Sequence, residues 1–184
     1  MEKSIRIVSY IVGFILVAVL VQTLTATKFA GLKEKNGYYS RDVVSIKTRE
    51  QQLDCLAINI YREAGNEPFE GKVGVAQVTL NRTKAPGFPK DVCAVVYQKN
   101  TIMEKVVCQF SWHCDSAHRS RVINNDSYKE SYEVAQKVLL EDFRLPSLKE
   151  ALYYHADYVN PQWRLDRITK IGAHIFYKPR NKDI

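Results

Sequence analysis

The sequence predicts an α+β fold, predominantly helical with a small antiparallel sheet, preceded by one N-terminal transmembrane helix. Three patterns point to it. Apolar residues recur at helical spacing through residues 51–139. β-branched and aromatic residues crowd instead into 151–155 and 168–178, where two short strands are expected. Ahead of both, Lys3 and Arg6 precede a run from Ile7 to Val21 that is apolar except for Ser9 and Gly13.

With the extension Gln22 to Ala26, that run reaches the ~20 residues needed to span a bilayer. Leu24-Thr25-Ala26 and Thr25-Ala26-Thr27 are poor small-x-small cleavage sites, so residues 1–27 read as a retained signal-anchor. Residues 28–48, polar and holding Gly37-Tyr38-Tyr39-Ser40, read as a linker, and 49–184 as the globular domain. Lys28, Lys33, Lys35 and Arg41 outnumber Lys3 and Arg6, a charge balance that by itself would keep the domain inside the cell. Cysteine usage argues the other way and places the domain on the extracytoplasmic side. Cys55, Cys93, Cys108 and Cys114 form an even set without a CxxC pair, so two disulfides are possible in any of three pairings.

A chain of 184 residues holds about one domain plus a tail. Its 46% hydrophobic and 26% charged residues exclude disorder and a polytopic membrane protein. A net charge of +7 favours polyanions: nucleic acid, anionic lipid, or the anionic polymers of a bacterial envelope. Without zinc-finger spacing or an arginine-rich arm, nucleic acid is not expected as a partner.

Within the domain, Leu53, Leu56, Ala57, Ile60 and Ala64 form one stripe of a helix from Gln51 to Ala64, which Gly65-Asn66 terminates. Glu63 lies in its last turn, facing the negative end of the helix dipole, which raises a carboxyl pKa in the direction a general acid needs. Pro68 suits the first turn of a second helix running to Lys84, with Val73, Ala76, Gln77 and Leu80 on one stripe and Val75 and Val78 on another. Gly71 and Gly74 weaken a helix, so they signal close approach of another helix or of a ligand. A short helix over Lys90–Gln98, with Pro89 at its first turn, is anchored by Val92, Val95 and Val96.

Lys99 to Arg121 has no clean period and reads as an ordered loop or irregular hairpin carrying Gln109-Phe110-Ser111-Trp112-His113 between two cysteines. Amide, hydroxyl, indole and phenyl groups together suit a sugar, with its hydroxyl edge and apolar face. The same residues would equally make an aromatic satellite core beneath a stapled loop. Asp126-Ser127 resembles an N-cap for a helix over Tyr128–Asp142, with Tyr132, Ala135, Val138 and Leu139 inward. Asn160-Pro161-Gln162-Trp163 is a turn between the strands, and His155 and His174 sit among aromatics as core histidines do.

From Leu53 to Lys178 these residues fall into a pattern that resembles the SleB/CwlJ family of bacterial and phage cell-wall hydrolases. The blocks are Leu53-Asp54-Cys55-Leu56-Ala57 with Tyr61-Arg62-Glu63-Ala64, Gly71-Lys72-Val73 with Val75-Ala76-Gln77 and Asn81-Arg82, and Phe88-Pro89 with Val92-Cys93 and Val95-Val96-Tyr97-Gln98. Cys108-Gln109-Phe110-Ser111-Trp112, Tyr154-His155-Ala156, Pro161-Gln162-Trp163 and His174-Ile175-Phe176-Tyr177 complete them. The resemblance implies a lysozyme-like domain acting on the glycan of peptidoglycan. It also implies that Glu63, first glutamate of the family's Glu-Ala-Arg-Gly-Glu block, is the catalytic acid. Here that block reads Glu63-Ala64-Gly65-Asn66-Glu67, which alters the turn and keeps both glutamates.

The expected activity is cleavage of the bond between N-acetylmuramic acid (MurNAc) and N-acetylglucosamine (GlcNAc) by lytic transglycosylation, which needs one acid/base and no cofactor. Tyr61, Gln109, Phe110, Ser111, Trp112, Tyr154 and His155 are expected to line the substrate cleft, with His155 an orienting donor. Glu67, Asp115 and Asp157 are the candidates for a second carboxylate if the reaction is ordinary hydrolysis. The expected partners are peptidoglycan glycan strands and, through the N-terminal helix, the membrane; the expected state is a monomer. Two other classes compete. A zinc amidase would use Glu63, His155 and His174, but no HExxH is present and no metal site is expected. A non-catalytic envelope protein would bind glycan through residues 109–112.

Overall fold

A computed structural model describes residues 13–15, 17–24, 46 and 48–180, which fall into two compact units, Met1–Thr48 and Arg49–Ile184. In the first unit, residues 13–15 and 17–24 are helical, with Phe14, Val17 and Leu20 largely exposed. Most of the expected anchor, 1–27, and nearly all of the linker, 28–48, lie outside the described residues. Among the described residues no helix is long and apolar enough to cross a membrane.

The second unit begins with α1, residues 49–64. Leu53, Leu56, Ala57, Ile60 and Ala64 are all buried on it, the stripe that its spacing requires. Helix α2, Phe69–Lys84, is capped by Pro68 and buried on all sides from Gly71 to Leu80, so it forms the centre of the domain. Helix α3 is shorter than expected, Val92–Val96, because Asp91 rather than Pro89 starts it: the Asp91 side chain accepts from the Ala94 amide. Helix α6, Asn125–Leu139, likewise starts earlier than Tyr128, where the Asn124 side chain caps the Ser127 amide.

The stretch expected as a loop or hairpin is a hairpin followed by two short helices. Strands β1, Lys99–Ile102, and β2, Lys105–Cys108, pair antiparallel across Met103 and Glu104, both at positive φ (48° and 64°). Helices α4, Ser111–Cys114, and α5, Ser116–Arg119, follow. Of the three possible cysteine pairings, the structure has Cys55–Cys93, tying α1 to α3, and Cys108–Cys114, closing the loop from β2 to α4.

After a 3-10 turn at Pro146–Leu148, the remaining chain forms three strands rather than two: β3 (Tyr153–Ala156), β4 (Asp166–Ile171) and β5 (His174–Lys178), in the order β3-β5-β4 and antiparallel throughout. The run 168–178, expected as one strand, folds back at Gly172, whose φ of 56° a side chain disfavours. The expected turn at 160–163 widens to an irregular segment over 157–165.

One apolar core fills the space between α1, α2, α3 and α6, and a second, of Val78, Leu148, Ala151 and Phe176, joins α2 to the sheet. Gly74 lies between α2 and the sheet: a Cβ there would stand 2.6 Å from Phe176 Cζ. The close approach read from Gly74 therefore comes from a strand, and that at Gly71 from Glu67, whose Cβ would lie 2.9 Å away.

Candidate active site

Glu63 ends α1 where Gly65 and Asn66 turn the chain, so its carboxyl stands at the junction of the helical part with the sheet. From β3 the Tyr154 hydroxyl donates a 3.1 Å hydrogen bond to Glu63 Oε2. Burial raises the Glu63 pKa; the Tyr154 hydrogen bond and the Arg82 charge pull it down, and burial prevails. The direction agrees with the sequence argument, and desolvation is its principal cause. Burial and the neighbouring carboxylate also hold the Tyr154 hydroxyl well above its ordinary pKa, so it stays a donor.

Arg82 completes the group and was given no role from the sequence. It is only 3% exposed on α2, and a cation so buried needs partners. Its Nε donates to the Leu152 carbonyl at 2.8 Å, and its guanidinium lies 5.3 Å from the Phe110 ring centre, 5.4 Å from Phe88 and 5.9 Å from Tyr153. Nη1 is buried and unpaired. The available signal was the Asn81-Arg82 pair at a buried stretch of α2.

Glu63 lines a cleft of about 480 Å³ with Tyr61, Arg62, Glu67, His118 and Arg121. Tyr61 Oη accepts from the Asn124 amide at 2.9 Å, and Arg62 Nη2 donates to the carbonyls of Arg119 and Arg121, so α1 holds the loop after α5 beside the cleft. Glu67 faces the same space. Its Oε2 accepts from the Ala173 amide at 2.8 Å, beside the buried His174 ring, whose Nδ1 is 3.8 Å away and whose pKa burial lowers. Asp115 and Asp157 engage His118 and Lys170 at the surface, and neither lines this cleft.

The expected cleft residues divide. Tyr61 and Tyr154 reach Glu63 or its cleft, whereas Phe110 (3% exposed) and Trp112 (6%) are core residues. Trp112 Nε1 donates to Asn59 Oδ1 at 3.1 Å, and Phe110 supports Arg82, so neither ring offers a face to solvent. The Gln109 backbone N–H donates to the Gln98 backbone carbonyl at 2.9 Å, and Ser111 is exposed at the start of α4. His155 lies on the opposite sheet face from Tyr154, because neighbours along a strand alternate. It touches Trp163 and Tyr177 there.

His174, on β5, shares the Tyr154 side, so His155 and His174 do not converge with Glu63 on a common ion as a zinc amidase would require. Among the described residues no group of three or more His, Cys, Asp or Glu side chains stands where it could hold a metal.

Residues 66–177 match the cell wall hydrolase family, a span that begins just after Glu63. A spore cortex-lytic enzyme of Bacillus subtilis (strain 168) is 30% identical over 128 residues, 67% of this chain and 36% of that protein. One from Bacillus cereus is 27% identical over 152 residues, 80% of this chain and 48% of its own length. The chain thus spans about a third to a half of the curated relatives it matches.

Two solved structures resemble the fold. The catalytic domain of the Bacillus cereus SleB protein has a TM-score of 0.52 at 26% identity, covering 70% of this chain and 91% of that one. The catalytic domain of the germination-specific lytic transglycosylase SleB from Bacillus anthracis has 0.51 at 27%, covering 69% and 93%. Both the matched span and the helical α+β architecture place this chain in the SleB/CwlJ family of cell wall hydrolases.

Proposed function

We propose that this protein cleaves peptidoglycan glycan strands at the MurNAc–GlcNAc bond by lytic transglycosylation, with Glu63 as the single acid/base. The observation that carries the proposal is the Glu63 carboxyl itself: it borders an open cleft, its pKa is raised by burial, and one oxygen is held by Tyr154. With Oε2 accepting from Tyr154, the proton of the neutral acid sits on Oε1 and is free to go to the glycosidic oxygen. As the C1–O bond breaks, the carboxylate takes the proton of the muramic 6-hydroxyl, whose oxygen closes on C1 to give a 1,6-anhydro end. A substrate hydroxyl thereby replaces the water that other glycosidases activate with a second carboxylate.

Glu67 in the same cleft favours a second reading, hydrolysis, in which it would direct a water. Mass spectrometry of the products separates the two: 1,6-anhydromuramic ends are expected, and reducing ends alone would establish hydrolysis. Glu63→Gln keeps shape and hydrogen bonding but cannot transfer a proton, so wall lysis in a zymogram should fall by about 10²–10⁴. Full lysis by that variant would remove Glu63 from the mechanism. Two disulfides support an oxidising compartment, and the apolar run within residues 1–27 a membrane tether, which together suit an enzyme working on the wall from the extracytoplasmic side.

A further inference from the structure

The outer face of the small sheet carries a group of rings that the chemistry at Glu63 does not use. Tyr153 and His155 of β3 and Tyr177 of β5 point to this face, opposite Tyr154 and Phe176. Trp163 covers them: its ring centre lies 6.2 Å from Tyr153, 5.4 Å from His155 and 5.9 Å from Tyr177, each contact tilted or edge-on. Phe88, from the loop after α2, meets Tyr153 at 6.3 Å. Trp163 nevertheless remains 44% exposed, so the cluster spends three neighbouring rings on holding an indole that is not itself buried.

Polar contacts fix the arrangement. His155 stacks on Tyr177 at 5.2 Å, with its Nδ1 2.8 Å from the Ala156 carbonyl and its Nε2 2.9 Å from Tyr177 Oη. A carbonyl only accepts, so in the neutral ring Nδ1 carries the proton and Nε2 accepts from the Tyr177 hydroxyl. The Tyr177 oxygen keeps its lone pairs for an outside donor. An indole face beside a committed phenol suits a ligand with one apolar face and a hydroxyl edge, which is the chemistry of a pyranose ring.

Position identifies the sugar's source. β3 is an edge strand, and Tyr154, which hydrogen-bonds the acid, lies between Tyr153 and His155. Arg82 joins the two faces, since its charge acts on Glu63 while its guanidinium rests on Tyr153. A polymer lying over Glu63 can therefore continue past the free edge of β3 onto the ring face. We propose that Trp163, supported by Tyr153, His155 and Tyr177, forms a second glycan-binding platform that holds the peptidoglycan strand away from the bond being cut. The platform rests on the glycan-cleaving function proposed above for its choice of ligand.

The test is retention of the full chain on insoluble peptidoglycan, in a Glu63→Gln background so that the glycan stays intact. Adding Trp163→Ala should weaken retention about tenfold, as loss of one stacked ring would. Trp163→Phe should recover most of it. The loss should persist at high salt, which screens simple attraction of a basic protein to an anionic wall. Equal retention by the Trp163→Ala protein, with an unchanged far-UV spectrum and melting temperature, overturns the platform. So does a concentration-dependent dimer that Trp163→Ala breaks while retention is unchanged, because the face would then join two copies of the chain. The cleavage reading fails separately: wild-type protein that releases no glycan but whose retention depends on Trp163 keeps the platform and discards the lysis.

Discussion

The Tyr154 hydroxyl reaches across 91 positions of sequence to donate to Glu63 Oε2 at 3.1 Å, the bond that joins the helical part of the domain to the sheet at the acid. It stabilises the carboxylate form, so Tyr154→Phe should raise the Glu63 pKa further. The basic limb of kcat/KM against pH, which reports loss of the acid proton, should move to higher pH, and peak activity should fall roughly tenfold. An unmoved limb would show that Glu63 does not titrate in the profile.

Arg82 acts on the same carboxyl by charge. Arg82→Met keeps much of the volume but removes the cation, so it too should shift the basic limb upward. It also leaves the Leu152 carbonyl without its 2.8 Å donor, at a cost of about 1–3 kcal/mol in urea unfolding.

The raised Glu63 pKa gives a signed stability difference. In the folded state the group holds its proton above the pH at which the unfolded chain, near the ordinary 4.5, has lost it. Wild-type protein should therefore lose stability relative to Glu63→Gln as pH rises from 4.5 through the folded pKa. The gap should be constant below 4.5. Paired thermal melts across pH measure it, and a wild-type protein that gained stability relative to Glu63→Gln as pH rose would contradict the burial argument.

The Cys55–Cys93 bridge closes a separation of 38 residues between α1 and α3. By loop entropy it stabilises the fold by about 4 kcal/mol, against about 2 for the separation of 6 closed by Cys108–Cys114. Cys55→Ser with Cys93→Ser should lower the urea midpoint more than Cys108→Ser with Cys114→Ser.

Gly172 is needed twice, for its φ of 56° and because a Cβ there would fall 1.9 Å from Glu67 Oε2. Gly172→Ala should expel Glu67 from the Ala173 amide and cost about 1–3 kcal/mol. Calorimetry reads the stability loss, and wall lysis tells whether the seated Glu67 matters to the reaction.

Helical periodicity carried the inner stripe of α1, the burial of α2 and the helical position of Glu63, because each depends on residues three or four apart. What escaped depends on contacts between distant segments. Phe110 and Trp112 read as readily as sugar-binding rings as they do as core, and only their partners, Arg82 and Asn59, decide. The β1–β2 turn uses Met103 and Glu104 at positive φ in place of the Asn-Gly that announces such a turn. Gly172 was visible, but within a β-branched run it read as part of one strand, not as a reversal.

The seat of Phe176 against Gly74 carries a mechanical consequence. Glu63 is carried by a helix and Tyr154 by the strand paired with that of Phe176, so their separation depends on where the sheet rests along α2. A ring lodged in a notch one hydrogen atom deep works as a detent: the sheet has a single resting place, set to within the width of a methyl group. The tolerance of the acid's hydrogen bond is thus machined at Gly74, through a Phe176 ring that lies 5.8 Å from Tyr154 on the same face of the sheet.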